Sequence, residues 1–167
     1  MTDPRQPDIP VRRCDTRDAL LEALAELADG ALRRVQVYAP ALVDGFWSSP
    51  SAVDTMRGFL TARGQREWQF LLEHTTGLAS EHAALVSLAQ RLPSLLQFRQ
   101  ADADHPLPAR QALAVSDAGA LLLFNADQRP GAVFTGADPG RARQLAEAHG
   151  QGWERGRPLT ELRQLSL

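Results

Sequence analysis

Residues 67–98 read EWQFLLEHTTGLASEHAALVSLAQRLPSLLQF, and this stretch decides the fold because it contains two strands separated by a helix. From Trp68 to Leu72 every second side chain is large and apolar, which is typical of a strand. Ser80 begins a segment with leucines at helical spacing, and Pro93 ends it before a further apolar run. A strand–helix–strand unit of this length predicts parallel strands joined by a right-handed crossover.

Towards the N-terminus the same pattern continues. Residues 33–38 alternate and are rich in β-branched and aromatic side chains, so they predict another strand, which Pro40 stops. A helix beginning near Ser51 connects this strand to the next, and an amphipathic helix ending near Gly30 precedes it. Residues 1–13 hold three prolines and no apolar period. We therefore expect a flexible arm over residues 1–13 and one ordered domain over residues 14–167.

Towards the C-terminus the pattern changes. Two apolar runs, residues 111–115 and 120–124, are joined by a turn that contains Gly119, which predicts an antiparallel hairpin. Residues 132–135 add a short strand, and Asp138 and Pro139 begin a last helix. The predicted fold class is α/β. It comprises a mixed sheet of about six strands, with a parallel βαβαβ core plus an antiparallel hairpin, flanked by about four helices.

Composition excludes several classes of function. The chain has 167 residues, and all 18 of its basic residues are arginine, so Schiff-base lysines and the Walker A phosphate loop are excluded. The net charge of −2, with basic residues scattered singly and in pairs, predicts no nucleic-acid partner and no membrane surface. A polar, proline-broken start without an apolar stretch predicts a cytoplasmic protein.

In a parallel sheet, ligands gather at the carboxyl ends of the strands. A possible ligand edge therefore comprises Tyr38, Trp47, Thr75, Thr76 and Arg99. The groups there that are capable of acid–base or metal chemistry are Glu73, His74, Asp102, Asp104 and His105. Polar strand ends and a solvated loop before Pro106 are the alternative interpretation. We predict no metal and no cofactor.

Three segments carry a resemblance to a known family: RLPS at residues 91–94, LAVSD at residues 113–117 and WERGRPLTELR at residues 153–163. Together with the order of elements, they resemble one half of a phospholipase D-like fold. More narrowly, residues 71–167 are similar to the uncharacterised phospholipase D-like domain appended to some bacterial GNAT acetyltransferases. The resemblance implies a phospholipase D-like half that pairs as a homodimer, and an acetyltransferase-like protein as a possible partner.

The catalytic motif of that family is only partly present. Active members carry His-x-Lys-x4-Asp, in which the histidine attacks phosphorus and the lysine holds phosphate oxygens. If Asp117 fills the aspartate position, Arg110 takes the histidine position and Ala112 the lysine position. The resemblance thus implies a non-catalytic module that binds a protein partner or a small ligand. The alternative is a hydrolase, with or without a metal, that uses the acidic and histidine residues at the strand ends.

The aromatic pair in the loop after the first strand bears on assembly. Phe46 and Trp47 lie between predicted elements, and aromatic side chains are enriched at protein interfaces. We expect them to be exposed and to contact the second copy in a homodimer. The alternative is a monomer in which both aromatic side chains fold back onto the core.

Overall fold

The structure, a computed structural model, describes residues 10–42, 45–108, 111–125 and 131–163. Its strands are β1 (Val11–Cys14), β2 (Arg34–Ala39), β3 (Glu67–Leu72), β4 (Leu96–Gln100), β5 (Leu113–Ser116), β6 (Leu121–Phe124), β7 (Ala132–Thr135) and β8 (Arg157–Pro158). The helices are α1 (Arg17–Gly30), α2 (Pro50–Thr61), α3 (Leu78–Glu81), α4 (Ala83–Arg91) and α5 (Pro139–Arg155), followed by a 3₁₀ turn over Thr160–Arg163.

All these strands form one mixed sheet in the order β1-β7-β6-β5-β2-β3-β4-β8. Strands β2, β3 and β4 run parallel, and β5 joins β2 antiparallel, with Val35 opposite Ser116 and Tyr38 opposite Leu113. The predicted fold class, a parallel core extended by an antiparallel hairpin, is therefore confirmed. The centre of the sheet is β2, where the parallel and antiparallel parts meet.

Side-chain alternation along the central strands produces a core on each face of the sheet. On one face, Val37 and Phe70 contribute to a large core that also buries residues of α1, α2 and α4. On the other face, Tyr38 and Leu71 form a smaller core with residues of α5, among them Trp153. Helix α5 thus lies on the face that carries Tyr38, which matters for the site described below.

The sequence placed residues 11–13 in a flexible arm, and this boundary is wrong. These residues form β1 together with Cys14, and they pair antiparallel with β7 so that Val11 lies opposite Thr135. Arg12 lies over the Phe134 ring and forms an ion pair with Glu26 at 2.9 Å. Backbone pairing holds this segment although its own side chains are mostly exposed, so the absence of an apolar period was misleading. Residues 1–9 lie outside the described part of the chain.

Strand β8 was also absent from the sequence prediction. It contains only two residues, of which Pro158 lies opposite Arg99, and both are exposed. Within the described ranges, no helix is long and apolar enough to cross a membrane.

His149 attaches α5 to the centre of the sheet. It is completely buried, with Nε2 3.0 Å from the carbonyl oxygen of Val37 and Nδ1 3.1 Å from Nε2 of Gln36. Its ring stacks on Trp153 with the centroids 5.8 Å apart. Burial lowers the pKa of His149 to about 4, so the ring is neutral in the folded protein at neutral pH.

We predict that acid destabilises the fold through His149. The unfolded chain takes up a proton near pH 6.5, whereas the folded protein does so only near pH 4, so the free energy of unfolding falls as the pH drops between these values. The expected loss between pH 7 and pH 5 is about 2 kcal/mol. Urea unfolding at several pH values should show this fall in the free energy of unfolding in the wild type. The variant His74→Gln is the control, because His74 is exposed, and it should show the same fall. An equal fall in His149→Gln would contradict the assignment.

Candidate active site

Three side chains meet at the carboxyl ends of the parallel strands. Tyr38 is near the end of β2, Glu73 directly follows β3, and His105 lies in the loop after β4. The Tyr38 hydroxyl donates a hydrogen bond to Glu73 Oε1 at 2.6 Å, and His105 Nε2 lies 2.6 Å from the same oxygen. The Tyr38 hydroxyl and His105 Nε2 are 3.2 Å apart. One carboxylate oxygen thus holds both partners together.

The contacts within the cluster shift the pKa values of Tyr38 and Glu73 in opposite directions. The hydrogen bond from Tyr38 lowers the pKa of Glu73; partial burial opposes this effect, and the hydrogen bond from His105 reinforces it. Burial, and secondly the bond to Glu73, raise the pKa of Tyr38 well above its ordinary value. At neutral pH, Glu73 is therefore a carboxylate and Tyr38 a phenol that donates. Since an ionised carboxylate only accepts, the network assigns a proton to Nε2 of His105.

The second ring nitrogen of His105 has no hydrogen-bond partner in the part of the chain that the structure describes. This atom, Nδ1, is buried, and the side chain as a whole is 6% exposed. In the neutral ring with Nε2 protonated, Nδ1 carries a lone pair that can accept a hydrogen bond. A buried acceptor without a donor costs about 1–3 kcal/mol, so a ligand that donates to it gains that amount back.

A glycine in α5 positions His105 against the sheet. A Cβ at Gly152 would lie 2.9 Å from Leu71 Cδ2 and 3.5 Å from His105 Cβ. Only a residue without a side chain allows the helix to approach β3 this closely while His105 fills the neighbouring space. The lack of a side chain at Gly152 therefore leaves room both for the contact of α5 with β3 and for His105.

Arg99 lies beside this cluster, on β4. Its guanidinium stacks over Trp153 at 4.5 Å from the ring centroid, and Nη1 donates to the Trp153 carbonyl oxygen at 2.6 Å. Arg99 also lines a cavity of about 270 Å³ that Pro158 and Thr160 border. The residue is therefore held in place at the edge of a small cavity.

The structure unites some of the residues expected at this edge and separates others. Tyr38, Glu73 and His105 form the cluster. His74, Thr76, Asp102 and Asp104 are exposed, and Thr75 is half-buried. No group of three or more His, Cys, Asp or Glu side chains within the described ranges is arranged to hold a metal ion.

The prediction that Trp47 lies at the ligand edge and, with Phe46, at an exposed dimer contact is wrong. Both residues are 5% exposed. The Trp47 ring packs edge-on against Phe70 at 5.2 Å between centroids and lies 5.9 Å from Phe124. The loop folds back onto the large core, because burying two aromatic side chains is more favourable than leaving them in water.

The described positions of the partial motif have structural roles. Ala112 precedes β5 and packs against the large core, and its carbonyl oxygen accepts from the Phe124 N–H at 3.0 Å. The Asp117 carboxylate accepts from the backbone N–H groups of Leu32, Arg33 and Arg34 at 2.7, 2.8 and 3.2 Å. Arg110 lies outside the described residues.

Solved structures similar to this chain share its fold. Nuc from Salmonella typhimurium, a phospholipase D family member, matches with a TM-score of 0.65 at 16% identity, over 92% of this chain and 98% of that one. NucT from Helicobacter pylori matches with a TM-score of 0.56 at 10% identity, over 90% of this chain and 100% of that one. The archaeal chromatin protein TrmBL2, whose structure shows a novel mode of DNA binding, matches with a TM-score of 0.57 at 12% identity, over 91% of this chain and 53% of that one.

These similarities show a phospholipase D-like fold, as the resemblance predicted. No curated protein sequence matches the chain. The model of one family, a domain of unknown function, matches residues 16–165. The chain therefore belongs to the family of domains of unknown function DUF7931.

Proposed function

We propose that this domain is a non-catalytic phospholipase D-like module that binds a small ligand or a protein partner. The observation that carries the proposal is Ala112, a partly buried residue packed against the large core, at the position where the resemblance expects the phosphate-binding lysine of an active member. Arginine in the histidine position is not a nucleophile at neutral pH, because its guanidinium stays protonated. The Asp117 carboxylate accepts hydrogen bonds from three backbone N–H groups. This structural role accounts for an aspartate at this position without a catalytic role.

The chemistry of the cluster indicates which small ligand it takes. Nδ1 of His105 offers a lone pair, and the Glu73 side chain, 29% exposed, offers negative charge beside it. Both groups accept hydrogen bonds. The matching ligand carries a donor such as an amine or a hydroxyl group.

The alternative function, a hydrolase, is supported by the same pair of residues. A carboxylate that holds one nitrogen of an imidazole leaves the other nitrogen as a general base, an arrangement common to many hydrolases. In this alternative, His105 activates a water molecule and Glu73 orients the ring. This alternative includes a mechanism with the imidazole alone and one that a metal ion assists.

We predict no turnover of bis(p-nitrophenyl) phosphate, with or without added divalent metal ions, because Ala112 provides no positive charge for the phosphate oxygens. Turnover that Arg110→Ala abolishes would overturn the proposal. The hydrolase alternative is measured in parallel with p-nitrophenyl acetate. We expect equal rates for wild type, His105→Gln and the surface control His74→Gln, whereas a loss confined to His105→Gln would favour the enzyme.

We predict that small amines and alcohols bind beside His105. Protein-observed NMR with such a panel should shift the amide signals near residues 38, 73 and 105 in the wild type. Substitution His105→Gln removes the free lone pair and should weaken this binding about tenfold, since a neutral hydrogen bond and its desolvation contribute about 1–2 kcal/mol. His74→Gln should bind as the wild type does. Shifts that persist unchanged in His105→Gln would place the ligand elsewhere.

Resemblance to domains appended to GNAT acetyltransferases makes an acetyltransferase the first protein partner to test. Nucleic acid is not part of the proposal, although the similar structure of TrmBL2 shows DNA binding by that protein. The net charge of −2 supports its exclusion here.

We also retain a homodimer as a prediction. With Phe46 and Trp47 buried, the position of β1 at the edge of the described sheet, with its exposed residue Val11, supports pairing of two copies through this strand. Light scattering at micromolar concentration should give about twice the 18.3 kDa of one chain, and Val11→Asp should lower the mass. A mass near 18.3 kDa that does not rise on concentration would refute the dimer.

A further inference from the structure

A second polar cavity lies at the opposite ends of the parallel strands from His105. It has a volume of about 710 Å³ and is bordered by the residues that begin β2 and β3 and precede β4. Its basic lining residues are Arg33, Arg34 and Arg66, and its acidic ones are Glu67 and Asp117. Asp117 lines this cavity, whereas Ala112 lies about 16 Å away, before the other end of β5.

The charges in this cavity do not cancel. Asp117 is held by three backbone N–H groups, and Glu67 forms an ion pair with Arg34. Within the described ranges, no carboxylate pairs with Arg33 or Arg66. The lining therefore carries three guanidinium groups and two carboxylates, an excess of one positive charge, and Arg33 and Arg66 have no ion-pair partner among the described residues.

Arg66 carries a donor that the protein leaves unused. Its guanidinium lies 4.9 Å from the centroid of the Phe59 ring, which restrains the side chain. Its Nε is buried and has no hydrogen-bond partner among the described residues. An unpaired buried donor on a charged group is costly, and an acceptor that reaches Nε would relieve that cost.

We propose that this cavity binds a phosphomonoester group through Arg33 and Arg66. Neither guanidinium has a carboxylate partner, the lining has an excess of positive charge, and the planar guanidinium fork fits phosphate oxygens. Ser94 and Gln65, which also line the cavity, supply neutral donors for the remaining oxygens. The bounded volume and the absence of a wider basic stripe favour a small molecule over a polynucleotide.

The test uses calorimetric titration of the whole protein at constant ionic strength, with inorganic phosphate and adenosine 5′-monophosphate as probes. Both should bind saturably. Arg33→Gln and Arg66→Gln should each weaken binding about tenfold or more, as expected for a lost charge-assisted hydrogen bond. Arg155→Gln is the matched control, because this exposed arginine ends α5 at the other edge of the sheet. It should bind as the wild type does.

Three results would overturn the proposal. The first is no binding beyond that of chloride at equal ionic strength, and the second is equal weakening in all three variants. The third is tighter binding of an oligonucleotide without terminal phosphate than of either probe. Arg33 is exposed, so its variant tests the site even if Arg66→Gln unfolds, which circular dichroism reports. The titration does not depend on His105. A negative result would therefore refute the phosphate site and leave the function proposed above untouched.

Discussion

The Asp117 carboxylate fixes the junction on which the sheet depends. It accepts from three consecutive backbone N–H groups at the start of β2, the strand where parallel and antiparallel pairing meet. These N–H groups begin a central strand, and one carboxylate satisfies all of them. With Asp117 in place, Ser116 lies opposite Val35, and the register of β5 on β2 follows.

This register separates two kinds of chemistry along a single strand. Tyr38 near one end of β2 joins a cluster that accepts hydrogen bonds, whereas Arg33 and Arg34 at the other end border a cavity with excess positive charge. A strand of six residues spans about 20 Å, so the two regions do not share a ligand of small size. The two proposed sites are therefore separate in space.

The sequence predicted the parallel core because its strands and helices have strong apolar periods and clear ends, such as Pro40 and Pro93. It also predicted that Tyr38, Glu73 and His105 lie at one edge of the sheet, because the carboxyl ends of parallel strands meet at the same edge. It missed β1 and β8, which are short, exposed and held by backbone pairing, a contribution that side-chain patterns do not show. Trp47 was misplaced because its burial depends on contacts with distant aromatic residues. The cavity bordered by Arg33 and Arg66 was missed for the same reason, because its lining residues are far apart in sequence.

The burial of Cys14 gives the protein an internal reporter. This residue is the only cysteine of the chain, it is fully buried, and it ends the edge strand β1. A thiol reagent therefore reacts only when β1 separates from β7 or the whole domain unfolds. At low denaturant concentration, the labelling rate of Cys14 reports the free energy of detaching β1. No mutation is needed, because the chain has no other thiol.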